Sequence, residues 1–145
     1  MFKDLVELKR TGYYDSFNDW KTAIEASCKP LIDQNCIEHE YVDSIISCIE
    51  EYGPYIVLLP KIAVPHSSSK KDSVKQTCIS FMKVEEPVVF DVNGDRKEAN
   101  VFITIAAADN EMHMSLIAEL ADLLNDPERV EKLLSVKNDE DLLKV

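Results

Sequence analysis

The chain has 145 residues, enough for one domain with a substantial core, because domains run roughly 100 to 200 residues. Hydrophobic residues make up 46% and charged residues 30%, with 3 Gly and 6 Pro, which argues against a largely disordered chain. Sixteen basic against 27 acidic residues leave a net charge of -11, which repels nucleic-acid phosphates and anionic lipid heads and favours a basic protein surface as partner.

The opening Met1-Phe2-Lys3-Asp4-Leu5 carries charge and no apolar h-region, so no secretory signal is expected. No stretch approaches the roughly twenty apolar residues of a membrane-spanning helix. Residues 19–34 read as a helix capped by Asp19, with Trp20, Ala23, Ile24, Ser27, Cys28 and Leu31 at helical spacing. Pro30 should kink or weaken its end, because it lacks the N–H and crowds the preceding turn. A second helix over 38–52 presents Tyr41, Ile45, Cys48, Ile49 and Tyr52 on one side. It should stop where Gly53 takes a left-handed cap with Pro54 behind it.

The character then changes. Tyr55 to Leu59 is an apolar run too short for a helix, closed by Pro60, and predicts a strand. Ile62-Ala63-Val64 follows and is ended by Pro65-His66, after which serines, lysines and Asp72 form a polar surface loop. Thr77–Lys83 and Val88–Phe90 read as two strands, with Pro87 at the entry of the second and a tight turn at 91–95. Ala99–Ala107 is nearly continuous in apolar residues, as a strand covered on both faces requires, and should be central. Asp109 or Asn110 then caps a helix carrying Leu116, Ile117, Leu120 and Leu124 on one face. Asp126-Pro127 starts a further helix through Val130, Leu133 and Leu134, and a short helical tail follows Asn138. The pattern predicts an α/β fold: a single-domain sandwich with a central mixed sheet of about five strands flanked by helices. Strand order is not legible in it.

Cys28, Cys36, Cys48 and Cys78 show no CxxC pair or zinc-site spacing, so each is expected to pack as a small apolar side chain in a reducing, cytoplasmic setting. Of three histidines, His39 opens a helix between Glu38 and Glu40 and reads as solvated surface. His66 and His113 each fall within a few residues of the end of a buried strand, where open α/β sheets gather their ligands. A neutral imidazole is a competent nucleophile toward phosphorus, and phosphoryl transfer otherwise needs alignment and donors around the phosphate oxygens. Ser67, Ser68, Ser69, Lys70 and Lys71 follow His66 and supply such groups. His113 lies in the first turn of its helix, where the dipole disfavours imidazolium and favours a bound phosphate. The bland alternatives are an ordinary loop histidine at 66 and a core histidine at 113. A metal hydrolase built on His66, His113 and an acidic residue such as Asp109 lacks a supporting HxxxH-like pair.

The stretch from Glu50 through Gly53-Pro54-Tyr55-Ile56-Val57 to Ile62-Ala63-Val64-Pro65-His66 resembles the active-site region of the mannitol/fructose class of phosphotransferase-system enzyme IIA domains, and within it most the ascorbate (SgaA/UlaC-like) branch. The similarity runs from Asp19-Trp20 through Ala106-Ala107-Ala108-Asp109 and His113 to Leu120-Ala121-Asp122-Leu123-Leu124, so that 1–145 is expected to be one enzyme IIA type 2 domain. The resemblance implies that His66 takes phosphate from the phosphocarrier HPr and passes it to a cysteine of a IIB component, with a membrane IIC component completing uptake of a carbohydrate such as ascorbate or a pentitol-like sugar. It also implies that His113 helps hold the phosphate, and that no metal or organic cofactor takes part. A regulatory phosphoprotein that senses phosphorylation state without transporting sugar is the alternative. Two departures stand out: many relatives continue Pro-His with Ala-Arg where this chain has Ser67-Ser68, and often have glycine where Lys61 stands.

Overall fold

The computed structural model describes residues 1–68 and 71–145. The elements in chain order are α1 (Phe2–Glu7), β1 (Thr11–Tyr14), α2 (Trp20–Asp33), α3 (His39–Tyr52), β2 (Val57–Leu59), β3 (Lys61–Ala63), a 3-10 turn (Lys71–Ser73), β4 (Cys78–Val92), β5 (Asp95–Ala106), α4 (Asn110–Leu124), α5 (Pro127–Leu134) and α6 (Asp139–Leu142). The five strands form one mixed sheet in the order β1-β4-β5-β3-β2, with β5 in the middle. The β3–β5 and β1–β4 pairs are parallel; β4–β5 and β2–β3 are antiparallel.

Alternation along β5 sorts its side chains onto two cores, because successive residues of a strand face opposite sides. Phe102 and Ala106 join Ile24, Leu31, Ile45 and Ile49 beneath α2 and α3. Val101, Ile103 and Ile105 meet Phe2, Leu116, Leu120 and Leu133 on the side of α1, α4, α5 and α6. Residues 99–106 are all buried and Ala107 is half-buried, as the nearly continuous apolar run over 99–107 predicted. Polar groups on the α2 side are paired: Ser80 donates to the Ser27 carbonyl (2.6 Å) and Thr104 to the Ser27 hydroxyl (3.1 Å). This satisfies hydroxyls that would otherwise be costly at that depth.

Several local expectations hold and several give way. Asp19, Asp109, Asp126 and Asn138 each cap a helix by accepting an N–H from three residues on. The four cysteines are free thiols, and burial pushes Cys28 and Cys78 up to about 12. Helix α2 runs through Pro30 to Asp33, close to the expected 19–34, its last turn held by the burial of Leu31 and by the Gln34 N–H on the Pro30 carbonyl (3.1 Å). Tyr55 lies outside β2, because the Tyr55 and Val57 N–H groups bond back to Gly53 and Pro54 in a turn. The two strands expected over 77–90 are one, β4, and Pro87 sits at the irregularity in its pairing with β5 between Lys83 and Val88, where a missing N–H is tolerated. Helix α1 and β1 carry too few residues to show periodicity, and β1 exists because β4 offers it a parallel edge.

Two backbone positions shape the approach to the site. Gly53 ends α3 at φ 84°, ψ −174°, not in the left-handed helical well but in an extended region that only glycine enters cheaply. Lys61 sits at φ 71°, in the region that favours glycine. A Gly53→Ala variant is expected to lose about 1–3 kcal/mol of stability from backbone strain alone, since an added Cβ would meet only the Val92 carbonyl at 3.9 Å. Urea unfolding of the two proteins checks this; a loss below a few tenths of that range would show that the α3–β2 corner relaxes freely.

Candidate functional site

Strands β3 and β5 are neighbours and parallel, so their carboxyl ends lie together at one edge of the sheet. Past β3, the Val64 N–H bonds the Ile56 carbonyl (2.8 Å) and the Pro65 carbonyl accepts from Ile105 N–H (3.0 Å), which carries His66 out beside the end of β5. Past β5, Asp109 caps α4 by accepting the Met112 N–H (2.8 Å), and the His113 N–H makes the first full helical bond, to the Asp109 carbonyl (3.0 Å). The two imidazoles meet there with ring centroids 6.2 Å apart and planes inclined at 46°. His39 is exposed at the start of α3 and plays no part in this grouping.

The His66 ring is oriented from three sides. Its Nδ1 lies 2.6 Å from the Val64 carbonyl, the Tyr55 ring stands edge-on at 5.4 Å, and the Tyr55 hydroxyl donates to the His66 carbonyl. A carbonyl only accepts, so neutral His66 carries its proton on Nδ1 and leaves the Nε2 lone pair uncommitted. Burial lowers the His66 pKa from the ordinary histidine value; the Val64 carbonyl pulls it back up, and the charge of His113 pushes it down again. The net direction favours the neutral, nucleophilic ring at physiological pH.

Next to the pair is a small cleft of about 50 Å³ lined by Tyr41, Ser67, Ser68, Val74, Ala107, Asp109, Asn110 and His113. Ser67 is buried, and its hydroxyl lies 2.5 Å from that of Ser44 and 3.9 Å from the Cys48 sulfur, turned toward α3. Its N–H donates to the Tyr41 hydroxyl (3.2 Å), which itself donates to the Ile105 carbonyl (2.8 Å). Ser68 is exposed at the cleft. Ser69 and Lys70 lie outside the described residues. Among the described residues no grouping of three or more His, Cys, Asp or Glu is arranged to hold a metal ion, and the Asp109 carboxylate is occupied as a helix cap. Sequence reasoning missed Tyr41 and Tyr55, which periodicity and an apolar run marked only as core.

Residues 5–145 match the family described as phosphoenolpyruvate-dependent sugar phosphotransferase system, EIIA 2. The chain is 30% identical over 133 residues to an ascorbate-specific PTS system EIIA component of Mycoplasma pneumoniae, covering 91% of this chain and 82% of that one. It is 32% identical over 127 residues to a mannitol-specific cryptic phosphotransferase enzyme IIA component of Escherichia coli, covering 88% and 84%. Its fold superposes with a TM-score of 0.78 and 28% identity on enzyme IIAMTL, solved in complex with phosphorylated enzyme IIBMTL from Escherichia coli, covering 94% of this chain and 92% of that one.

The electrostatics predict that His66 titrates below the usual histidine value, so that the folded protein loses stability as pH falls from about 6.5 through the depressed value. In a His113→Ala protein the like-charge contribution disappears and the His66 midpoint rises. Imidazole NMR titration of both proteins reads this directly, and a His66 midpoint above that of free histidine contradicts it.

Proposed function

The chain belongs to the EIIA type 2 family of the phosphoenolpyruvate-dependent sugar phosphotransferase system, and from that premise we propose that His66 is its phosphoryl acceptor and His113 the residue that steadies the bound phosphate. Family members are phosphotransferase carriers, and enzyme IIA components work with a IIB partner. The observation that carries the residue assignment is the Val64 carbonyl on His66 Nδ1, which leaves Nε2 as the nucleophilic nitrogen directed away from the backbone.

In the step proposed, the Nε2 lone pair attacks phosphorus of phospho-HPr. A nitrogen–phosphorus bond forms while the bond from phosphorus to the donor breaks, and the donor leaves with that electron pair. The proton stays on Nδ1, donated to the Val64 carbonyl oxygen, whose partial negative charge offsets positive charge growing on the ring. His113, a ring's distance away at the first turn of α4, donates to a phosphate oxygen, helped by the positive end of the helix dipole. The phosphoryl group then passes to a cysteine of the IIB component by the same displacement in reverse. Of the serines after His66, Ser68 is the one proposed to face the phosphate, with Ser69 and Lys70 as further candidates, while the Ser67 hydroxyl is engaged with Ser44 and anchors the loop.

Beside His113, Met112 and Met114 are 41% and 66% exposed, and Glu111 adjoins them. An apolar patch with acidic neighbours suits the alternate docking of a basic donor and a IIB acceptor, which must meet and part repeatedly. Membership of the EIIA family supports a cytoplasmic carrier that serves a membrane IIC component through IIB. The similar proteins named above are ascorbate-specific and mannitol-specific components, which favours transport of a carbohydrate of that kind, such as ascorbate or a sugar alcohol, over a purely regulatory role.

Incubation with HPr and its phosphate donor should place one acid-labile phosphate on this protein. Labelling is expected to vanish in His66→Ala and to slow about tenfold in His113→Ala, which loses a positioning donor. If His66→Ala labels like the parent, the acceptor has been misassigned.

A further inference from the structure

We propose that Tyr41 and Tyr55 are positioning residues for phosphoryl transfer, their hydroxyls gripping the two polar groups of the His66–Ser67 peptide unit so that the His66 ring is held in one orientation. This rests on the reading of His66 as acceptor. A peptide unit offers one acceptor and one donor, and where a strand breaks out to the surface both usually turn to water. Here the acceptor, the His66 carbonyl, takes the Tyr55 O–H, and the donor, the Ser67 N–H, gives to the Tyr41 oxygen at 3.2 Å.

The proton roles are mutually consistent. Tyr41 has one proton and spends it on the Ile105 carbonyl at 2.8 Å, so toward Ser67 it acts as an acceptor. Burial raises the pKa of both phenols, so both remain donors throughout the neutral range. Tyr41 is 2% exposed on α3, Tyr55 follows that helix in the Gly53–Val57 turn, and Ile105 belongs to β5, so helix, turn and strand together fix one peptide plane.

Fixing that plane matters because the one hydrogen bond the imidazole itself makes among the described residues is the Nδ1 contact with the Val64 carbonyl, which leaves the ring free to pivot about it. If the peptide rotates, the ring pivots with the Cα and Nε2 swings off the line of attack. Small misplacements of a nucleophile cost large factors in rate. Tyr55 adds a second restraint through its edge-on ring contact at 5.4 Å, which a phenylalanine would retain. The hydroxyls are therefore separable from the packing. The arrangement also commits the Ser67 N–H to Tyr41, so that it serves orientation in place of phosphate binding.

The test is Tyr55→Phe, with Tyr41→Phe beside it. We expect the rate of phosphate uptake from phospho-HPr at saturating donor to fall about tenfold in Tyr55→Phe with the KM for the donor unchanged. Nitrogen-15 NMR of the His66 ring should show a smaller share of the Nδ1–H tautomer and a shifted titration midpoint, which a purely structural role for the hydroxyl would not produce. Tyr41→Phe removes the donor to the buried Ile105 carbonyl and the acceptor of the Ser67 N–H and can fail to fold; Tyr55 is half-buried, and its variant decides the matter by itself. A folded Tyr55→Phe protein with parental rate and parental tautomer overturns the proposal. If phospho-HPr does not label the parent, the acceptor assignment has failed separately, and an unchanged tautomer in Tyr55→Phe then overturns the clamp on its own.

Discussion

Parallel pairing of β3 with β5 brings two histidines, 47 positions apart in sequence, to the same edge of the sheet. Neighbouring strands that run the same way end on the same side, and whatever follows them shares a rim. His66 emerges after one strand and His113 in the first turn of the helix that follows the other. Were β3 antiparallel to β5, its carboxyl end would point to the opposite pole, and the pair would be separated by the length of the sheet.

The core on either face of β5 makes this arrangement rigid. Val101, Ile103 and Ile105 seat α4, and Asp109 sets where its first turn begins, so the position of His113 is coupled to the packing of Leu116 and Leu120. On the other face, α3 brings Tyr41 and Ser44 under the His66 loop, and Gly53 turns the chain back toward β2 so that Tyr55 arrives beside the same histidine. The chemistry asked of the site is modest. A neutral imidazole with one free nitrogen, a neighbouring donor and a helix N-terminus suffice for a transfer whose demands are alignment and charge.

The environment around His66 pulls in more than one direction. Burial and the charge of His113 resist protonation, while the Val64 carbonyl stabilises a ring that carries a proton on Nδ1. The outcome is a neutral ring whose Nδ1 proton is held by a carbonyl, which is what the transfer proposed for it requires. The acidic chain around it, at a net charge of -11, adds long-range attraction for a basic partner without altering the local geometry.

From residues alone, the layered α/β class, the buried central strand read over 99–107, the aspartate caps and the two candidate histidines were all legible, because each depends on local periodicity or on one side chain meeting its own helix. Pro65-His66 at the end of an apolar run marked the exit of a strand for the same reason. Strand order, the fusion of two expected strands into β4 and the existence of β1 depended on partners distant in sequence. So did the roles of the hydroxyls: nothing local distinguishes Tyr41 from a core aromatic or Ser67 from a phosphate ligand until α3 and β5 are laid against the loop. Periodicity reports which face of an element is apolar; which groups then come within hydrogen-bonding distance is decided only when those faces close on one another.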